Sequence, residues 1–457
     1  MKKLTFAFIC IWTCLANSVG VQAQSSSYSA NAETDLNAVD STKLHADEID
    51  RINIIKNTQV IRVGGNDDTS VSIDSIQSLI NKFYMDQFRN SQDPDAPYFT
   101  FISKDANLAM GVGGTLKATA WFDWNGIVDG AAFSTYNILP KTDSDRKNLG
   151  ASPTGTSIFF NIMARHTFVG DFRAYIEAGF SGTSNNSFKL KAAWFMIHDF
   201  TVGYTKSTFS DPGALPNVLD PAGSNGKIDK KNMLVRYLKT WKNRWTVAAG
   251  VELANQQIDF SSGYTAKIRN YIPDFALLGQ YQWNRGLNHV RLSGLLRSMP
   301  YRNLIDAKNT TVTGWGVQLL SVVAAWKITN FYGIMSYGRG VSSYTGDLSQ
   351  GNYDLLDKTS APGELYAPRT ISASFGVRVR ILPKLTTNLA LSTLRHFAEG
   401  SLKDDKYKYG QYLAINAIYN FTPRIKGGVE YLAGKRKNFD GHSLNANRVL
   451  AQVVFSF

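Results

Sequence analysis

The chain has 457 residues and is rich in glycine (37), tyrosine (21), phenylalanine (26) and tryptophan (9), a composition suited to many strands joined by turns. No run approaches the roughly 20 apolar residues that a membrane helix needs, which excludes a helical membrane protein. A mean hydropathy of -0.19 leaves a membrane barrel open, because only alternate residues of a barrel strand face lipid.

Residues 1–23 read as a secretory signal peptide. Lys2 and Lys3 form its charged start, 4–16 its apolar middle, and Val21-Gln22-Ala23 a small-x-small cleavage site that predicts Gln24 as the first mature residue. Both cysteines, Cys10 and Cys14, fall inside it, and Thr13 before Cys14 fits lipid attachment poorly. The mature chain is therefore expected to carry no disulfide, thiol ligand or cysteine nucleophile.

Residues 24–106 read as a partly helical periplasmic extension and a possible oligomerisation segment. Its 33–59 stretch has helical composition, with Leu36, Val39, Leu44, Ile49, Ile52 and Ile55 as apolar positions. Lys43, Asp50 and Lys56 interrupt any heptad seam, which points to a short packed helix rather than a sustained coiled coil. Residues 60–63 and 71–73 suggest a small hairpin around Gly64-Gly65-Asn66-Asp67. Asp74 caps an amphipathic helix whose apolar face is Ile76, Leu79, Ile80, Phe83 and Phe88. This extension holds 13 acidic and 7 basic side chains, whereas 107–457 holds 23 and 40, so the charge changes sign near Leu108.

From Leu108 onward the pattern has period two. The runs are 108–121, 156–168, 172–182, 187–197, 199–209, 230–241, 244–255, 273–284, 288–299, 315–327, 331–340, 369–381, 385–395, 408–420, 424–435 and 446–457. Each reaches the roughly 9–11 residues of a tilted membrane strand. Short and long connections alternate, giving seven tight turns on one side and eight loops on the other. The expected fold is all-β: a 16-stranded antiparallel transmembrane barrel over 107–457, with both ends periplasmic. A soluble sandwich would show neither that alternation nor aromatic clustering at strand ends. Phe168, Phe172, Phe200, Trp241, Trp245, Trp283, Trp326, Phe331 and Phe421 all lie beside the short turns, where an interfacial girdle belongs.

Alternation also assigns faces. It turns Lys117, Arg165, Arg173, Lys189, Lys191, Arg236, Arg291, Arg297, Arg378, Arg380, Lys426 and Arg448 inward, against the acids Glu177, Glu252 and Glu430. A low-dielectric tube lined mainly by one sign of charge concentrates the other, so the wall is expected to favour small anions, with arginine forks as weak, repeated binding points. The 210–229 stretch holds Pro212, Pro216 and Pro221 and has no alternation, so it is no strand. As the third outer loop it is expected to fold inward and narrow the pore. Its Asp211, Asp220 and Asp229, against Lys227, give it the opposite sign to the wall.

With these features the chain resembles the DcaP-like trimeric porins of Gram-negative outer membranes. The residues that carry the resemblance are Asp93-Pro94-Asp95-Ala96-Pro97-Tyr98-Phe99 leading to Met110-Gly111-Val112-Gly113-Gly114-Thr115-Leu116-Lys117. They continue with Thr205-Lys206-Ser207-Thr208-Phe209-Ser210-Asp211-Pro212-Gly213-Ala214-Leu215-Pro216, then Leu219-Asp220-Pro221 and Gly223-Ser224-Asn225-Gly226. The resemblance implies a homotrimer of 16-stranded barrels that takes up small anionic solutes such as dicarboxylates. The alternating end Val453-Val454-Phe455-Ser456-Phe457 resembles the signal read by the outer-membrane barrel assembly machinery.

No enzyme, cofactor or metal motif is found. The glycines at 223–226 lack phosphate-loop spacing, and the six histidines show no paired ligand spacing. A barrel lipid hydrolase would need an outward Ser/His pair at the outer leaflet, whereas His166 lies by a short turn. The basic barrel argues for a lumen, not nucleic acid, given the export signal. The alternative function is a structural or adhesive barrel with long surface loops and no open pore.

Overall fold

The computed structural model describes residues 45, 58–63, 97–104, 107–140, 147–167, 170–180, 187–242, 244–260, 262–284, 287–399 and 405–457. The signal peptide with its cleavage site, the 33–59 seam apart from His45, Thr58 and Gln59 (the last opening a strand), and the helix capped by Asp74 lie outside them.

Sixteen antiparallel strands form one closed sheet. They are β1 (Leu108–Trp124), β2 (Ser157–Thr167), β3 (Gly170–Phe180), β4 (Phe188–Ile197), β5 (Phe200–Lys206), β6 (Lys231–Trp241), β7 (Trp245–Leu253) and β8 (Asp274–Trp283). There follow β9 (Asn288–Asn303), β10 (Lys308–Trp326), β11 (Thr329–Arg339), β12 (Arg369–Leu382), β13 (Leu385–Phe397), β14 (Tyr407–Asn420), β15 (Ile425–Asn438) and β16 (Ser443–Ser456). Every expected run corresponds to one of them. Closure comes from β16 pairing with β1, from Asn447 opposite Trp124 to Ser456 opposite Thr115. Phe457 extends the seam by exchanging two backbone hydrogen bonds with Gly114. Below that seam Phe99–Ser103 pairs antiparallel with β1, and Gln59–Val63 lies parallel beside it. The neighbour of 59–63 is thus 99–103; the expected partner at 71–73 lies outside the described residues.

The strand faces differ as a membrane barrel requires. In β7 burial alternates residue by residue, with Val247 and Val251 exposed and Thr246, Ala248 and Glu252 buried. Leu277 and Leu292 are 61% and 60% exposed on adjoining strands, an apolar surface that suits hydrocarbon. Aromatic pairs gather at the turn side, among them Trp245 with Tyr281 at 4.6 Å and Trp326 with Phe331 at 5.9 Å.

Several boundaries differ from the expected ones, and three of them change a connection. The 300–314 stretch is no long loop, because β9 and β10 pair through it, Pro300 opposite Thr311, leaving only 304–307 as connection. Lys147–Ser152 pairs with the outer half of β1, in line with β2. The fifth strand stops at Lys206 rather than 209, because the chain there turns into the barrel and Ser207, Thr208 and Phe209 are buried.

Candidate pore constriction

The third loop, L3 (207–230), crosses the barrel interior and meets the wall at successive strands. Asp211 accepts from Gly213 at its own 3-10 turn, Pro212–Ala214, and lies 2.8 Å from the His289 ring and 3.4 Å from Arg291 on β9. Arg291 reaches on to the Ser210 carbonyl. Pro216 packs over Gly376 of β12, where a β-carbon would come within 2.6 Å of its ring. Asn416 donates to the Asn217 carbonyl, and Glu430 accepts from the amides of Leu219 and Asp220 at 2.8 and 2.7 Å. Gln452 donates to the Leu219 carbonyl, which ties the loop to β16. On the return, Gly226 is held by Ser392 and Ser372, and Ile228 bridges Thr345.

These contacts show why the loop is short of regular structure yet ordered in one path. Prolines restrict its backbone, and its peptide groups find side-chain partners in a polar wall. Its acids are engaged in the same way. Asp220 accepts from Phe133, Ala222 and Tyr412, and Asp229 pairs with Lys227 and Lys206. Burial would raise the Asp211 carboxyl, but Arg291 and His289 outweigh it and hold the group at about 2. Burial pushes the Lys227 ammonium below its ordinary value.

Two further loops enter the barrel. L1 (125–156) sends Val128, Phe133 and Ile138 into an apolar cluster with Leu219 and Leu450. L6 (340–368) contributes two 3-10 turns, Ser342–Tyr344 and Asp347–Gln350, and meets L1 where Ser134, Thr135 and Tyr136 donate to Asp347.

These loops divide the inward bases into two groups. Arg448 grips Asp123 and the Val128 and Ala131 carbonyls, and Arg297 grips Asp274 and Asp354. With Arg291, they anchor L1, L6 and L3 respectively. Asp123 and Asp274 are wall acids outside the expected three, Asp123 because the expected first run stopped at 121. Arg173 is also enclosed, bonded to Asn161 under the Trp194 ring, and Arg236 reaches the Lys206 carbonyl. Arg165, Arg378 and Arg380 stand toward the turn end, where Arg380 donates to the Pro383 carbonyl.

The second group faces open space. Lys117, Lys191 and Lys426 line a cavity of about 350 Å³, together with Thr115, Tyr175, Glu177, Gln452 and the L3 residues Asn217, Val218 and Leu219. Glu177 is 3.3 Å from Lys191. Lys189 lies on the same strand, above a bulge at Glu177/Ala178 that moves the inward phase of β4 from Lys189 to Ala192. Lys231 donates to the Lys191 carbonyl, and Lys206 pairs with Asp229 of L3. Sequence parity misses these two because each sits at a strand end where the chain leaves the pleat.

The fold is that of known outer-membrane channels. The outer membrane channel DcaP of Acinetobacter baumannii superposes with a TM-score of 0.67 at 20% identity, over 77% of this chain and 98% of that one. The chain has the DcaP channel fold. The anion-selective porin from Comamonas acidovorans has a TM-score of 0.50 at 8% identity, over 77% of this chain and 100% of that one. In sequence, no protein-family model and no curated protein matches.

Proposed function

We propose that the protein is an outer-membrane porin that passes small anionic solutes. The observation that carries this reading is the 350 Å³ cavity between L3 and the wall, where three lysines stand against one glutamate. Cations fixed in a narrow, low-dielectric passage raise the local concentration of anions and lower the barrier to their entry. Lysine holds a carboxylate loosely, as a point charge, which suits passage rather than capture. A dicarboxylate brings two negative charges to such a cluster, and the likeness to DcaP-like channels makes it the first solute class to test. On this reading the barrel spans the outer membrane of a Gram-negative cell, assembles as a homotrimer after export, and presents Phe457 to the assembly machinery.

The test is a reversal potential in a KCl gradient across a planar bilayer. Anion preference is expected, and replacing Lys117, Lys191 and Lys426 with Ser should remove most of it while conductance persists. Cation preference in the unaltered protein would overturn the reading. The second reading, an adhesive or structural barrel, draws on the depth to which L1 and L6 fill the interior; it requires that no current pass.

A further inference from the structure

A separate group of arginines lies on the outside of the barrel. Arg339 ends β11, Arg369 opens β12 and Arg395 sits near the end of β13, all exposed on the outward face. The register sets Arg339 directly opposite Arg369, Arg369 opposite Phe397, and Ile371 opposite Arg395. The guanidinium groups of Arg369 and Arg395 lie over the Phe397 ring, 5.4 and 4.7 Å from its centre. None of the three is paired with a described carboxylate, and nearby Glu364 is engaged by Lys358 at 2.6 Å. Like charges placed directly opposite on a sheet destabilise it. Beyond the Phe397 ring, no negative charge among the described residues is paired with them to offset that repulsion.

Their level in the barrel says what does. Trp326 and Trp315 both lie outward on β10, at its turn and loop sides. They are eleven residues apart, roughly 36 Å along a strand and about 27 Å in height at a 40° tilt, the separation of two interfacial girdles. Trp315 stands opposite Arg339 and packs edge-on against Tyr337 at 5.6 Å. The arginines therefore sit at the outer girdle, at headgroup depth, with aromatic surface reaching toward the acyl chains.

We infer that Arg339, Arg369 and Arg395 form a binding site for the phosphate group of an outer-leaflet lipid. Guanidinium forks match phosphate oxygens in pairs, and a phosphate between the strands turns the repulsion of Arg339 and Arg369 into attraction. The inference rests on the barrel spanning a membrane, so insertion is measured first, by co-elution with nanodiscs of phosphatidylcholine alone. Discs with diphosphorylated lipid A are then compared with discs holding its dephosphorylated form, and retained lipid is counted by native mass spectrometry.

Selective retention of the phosphorylated form is expected. Arg369→Gln should weaken it about fivefold and the triple Gln variant about a hundredfold, at roughly one surface charge step per arginine. The triple variant should keep wild-type conductance, since none of these side chains faces the lumen. Equal retention of both lipids, or retention unmoved by the substitutions, overturns the inference. So does displacement of the lipid by millimolar inorganic phosphate, which would mark a free-phosphate site. If the variants instead dissociate an oligomer with no change in lipid, the face contacts a second copy and the inference fails. Failure to enter neutral discs would refute the membrane reading itself.

Discussion

Asp211 illustrates how one side chain fixes the path of a loop. It is fully enclosed between His289 and Arg291, and its amide partner Gly213 completes the contact. Replacing it with Asn removes the carboxylate that faces the buried Arg291 guanidinium. A buried charge that loses its partner costs about 3–5 kcal/mol, so Asp211→Asn should lower stability by about 3 kcal/mol in urea unfolding from lipid. The pH sign follows from a carboxyl held at about 2, below its ordinary 3.8. The stability it contributes is complete above about pH 4 and is lost as pH falls through 2. Wild type and Asp211→Asn should therefore differ by the full amount at pH 6 and converge near pH 2; a difference that persisted there would show that the charge is not what holds the loop.

At the scale of elements, L1 and L6 meet around the Asp347 carboxyl, with Gln350 donating to Ser134 beside it. Burial raises Asp347 to about 6, despite hydrogen bonds from Thr135 and Ser134 that favour its ionised form. A raised carboxyl contributes stability that is full below 3.8 and is lost as pH rises through 6, by up to about 3 kcal/mol. Amides 133–137 should then exchange more slowly at pH 5 than at pH 7.5, after correction for intrinsic rates. Asp347→Asn should flatten that dependence. An unchanged pH profile in the variant would assign the effect to another group. Neither loop announces its inward course in the sequence, because Phe133 and Tyr344 meet partners such as Tyr412 and Phe209 that are far away in the chain.

At the scale of the whole molecule, the seam decides whether a barrel forms at all. A β-carbon on Gly114 would lie 2.4 Å from the Ser157 carbonyl and 2.7 Å from the Phe457 ring. Gly294, also in a strand, has nothing within 4 Å of that position. Gly114→Val should reduce the yield of closed, heat-modifiable barrel by more than half, while Gly294→Val folds normally. Equal yields would show that the seam tolerates displacement. Closure also explains the polarity of the interior, since a sheet with lipid on its outside must place its polar alternates within.

The strands, their number, their alternating short and long connections and the face of most side chains are legible in the amino-acid pattern alone. Period two is a local property, set by the pleat, and needs no knowledge of partners. It also singled out L3, because three prolines forbid a strand. Which inward bases are taken up by loops is set by contacts between distant segments. Arg291, Arg297 and Arg448 share the parity of Lys117 and Lys426, but loops from distant parts of the chain bring carboxylates or carbonyls to them. Charge pairing depends on contact in space, and a bulge such as that beside Lys191 shifts the phase by which parity is read. The paired arginines hold the loops in place, and the three lysines beside L3 face the space that those loops leave.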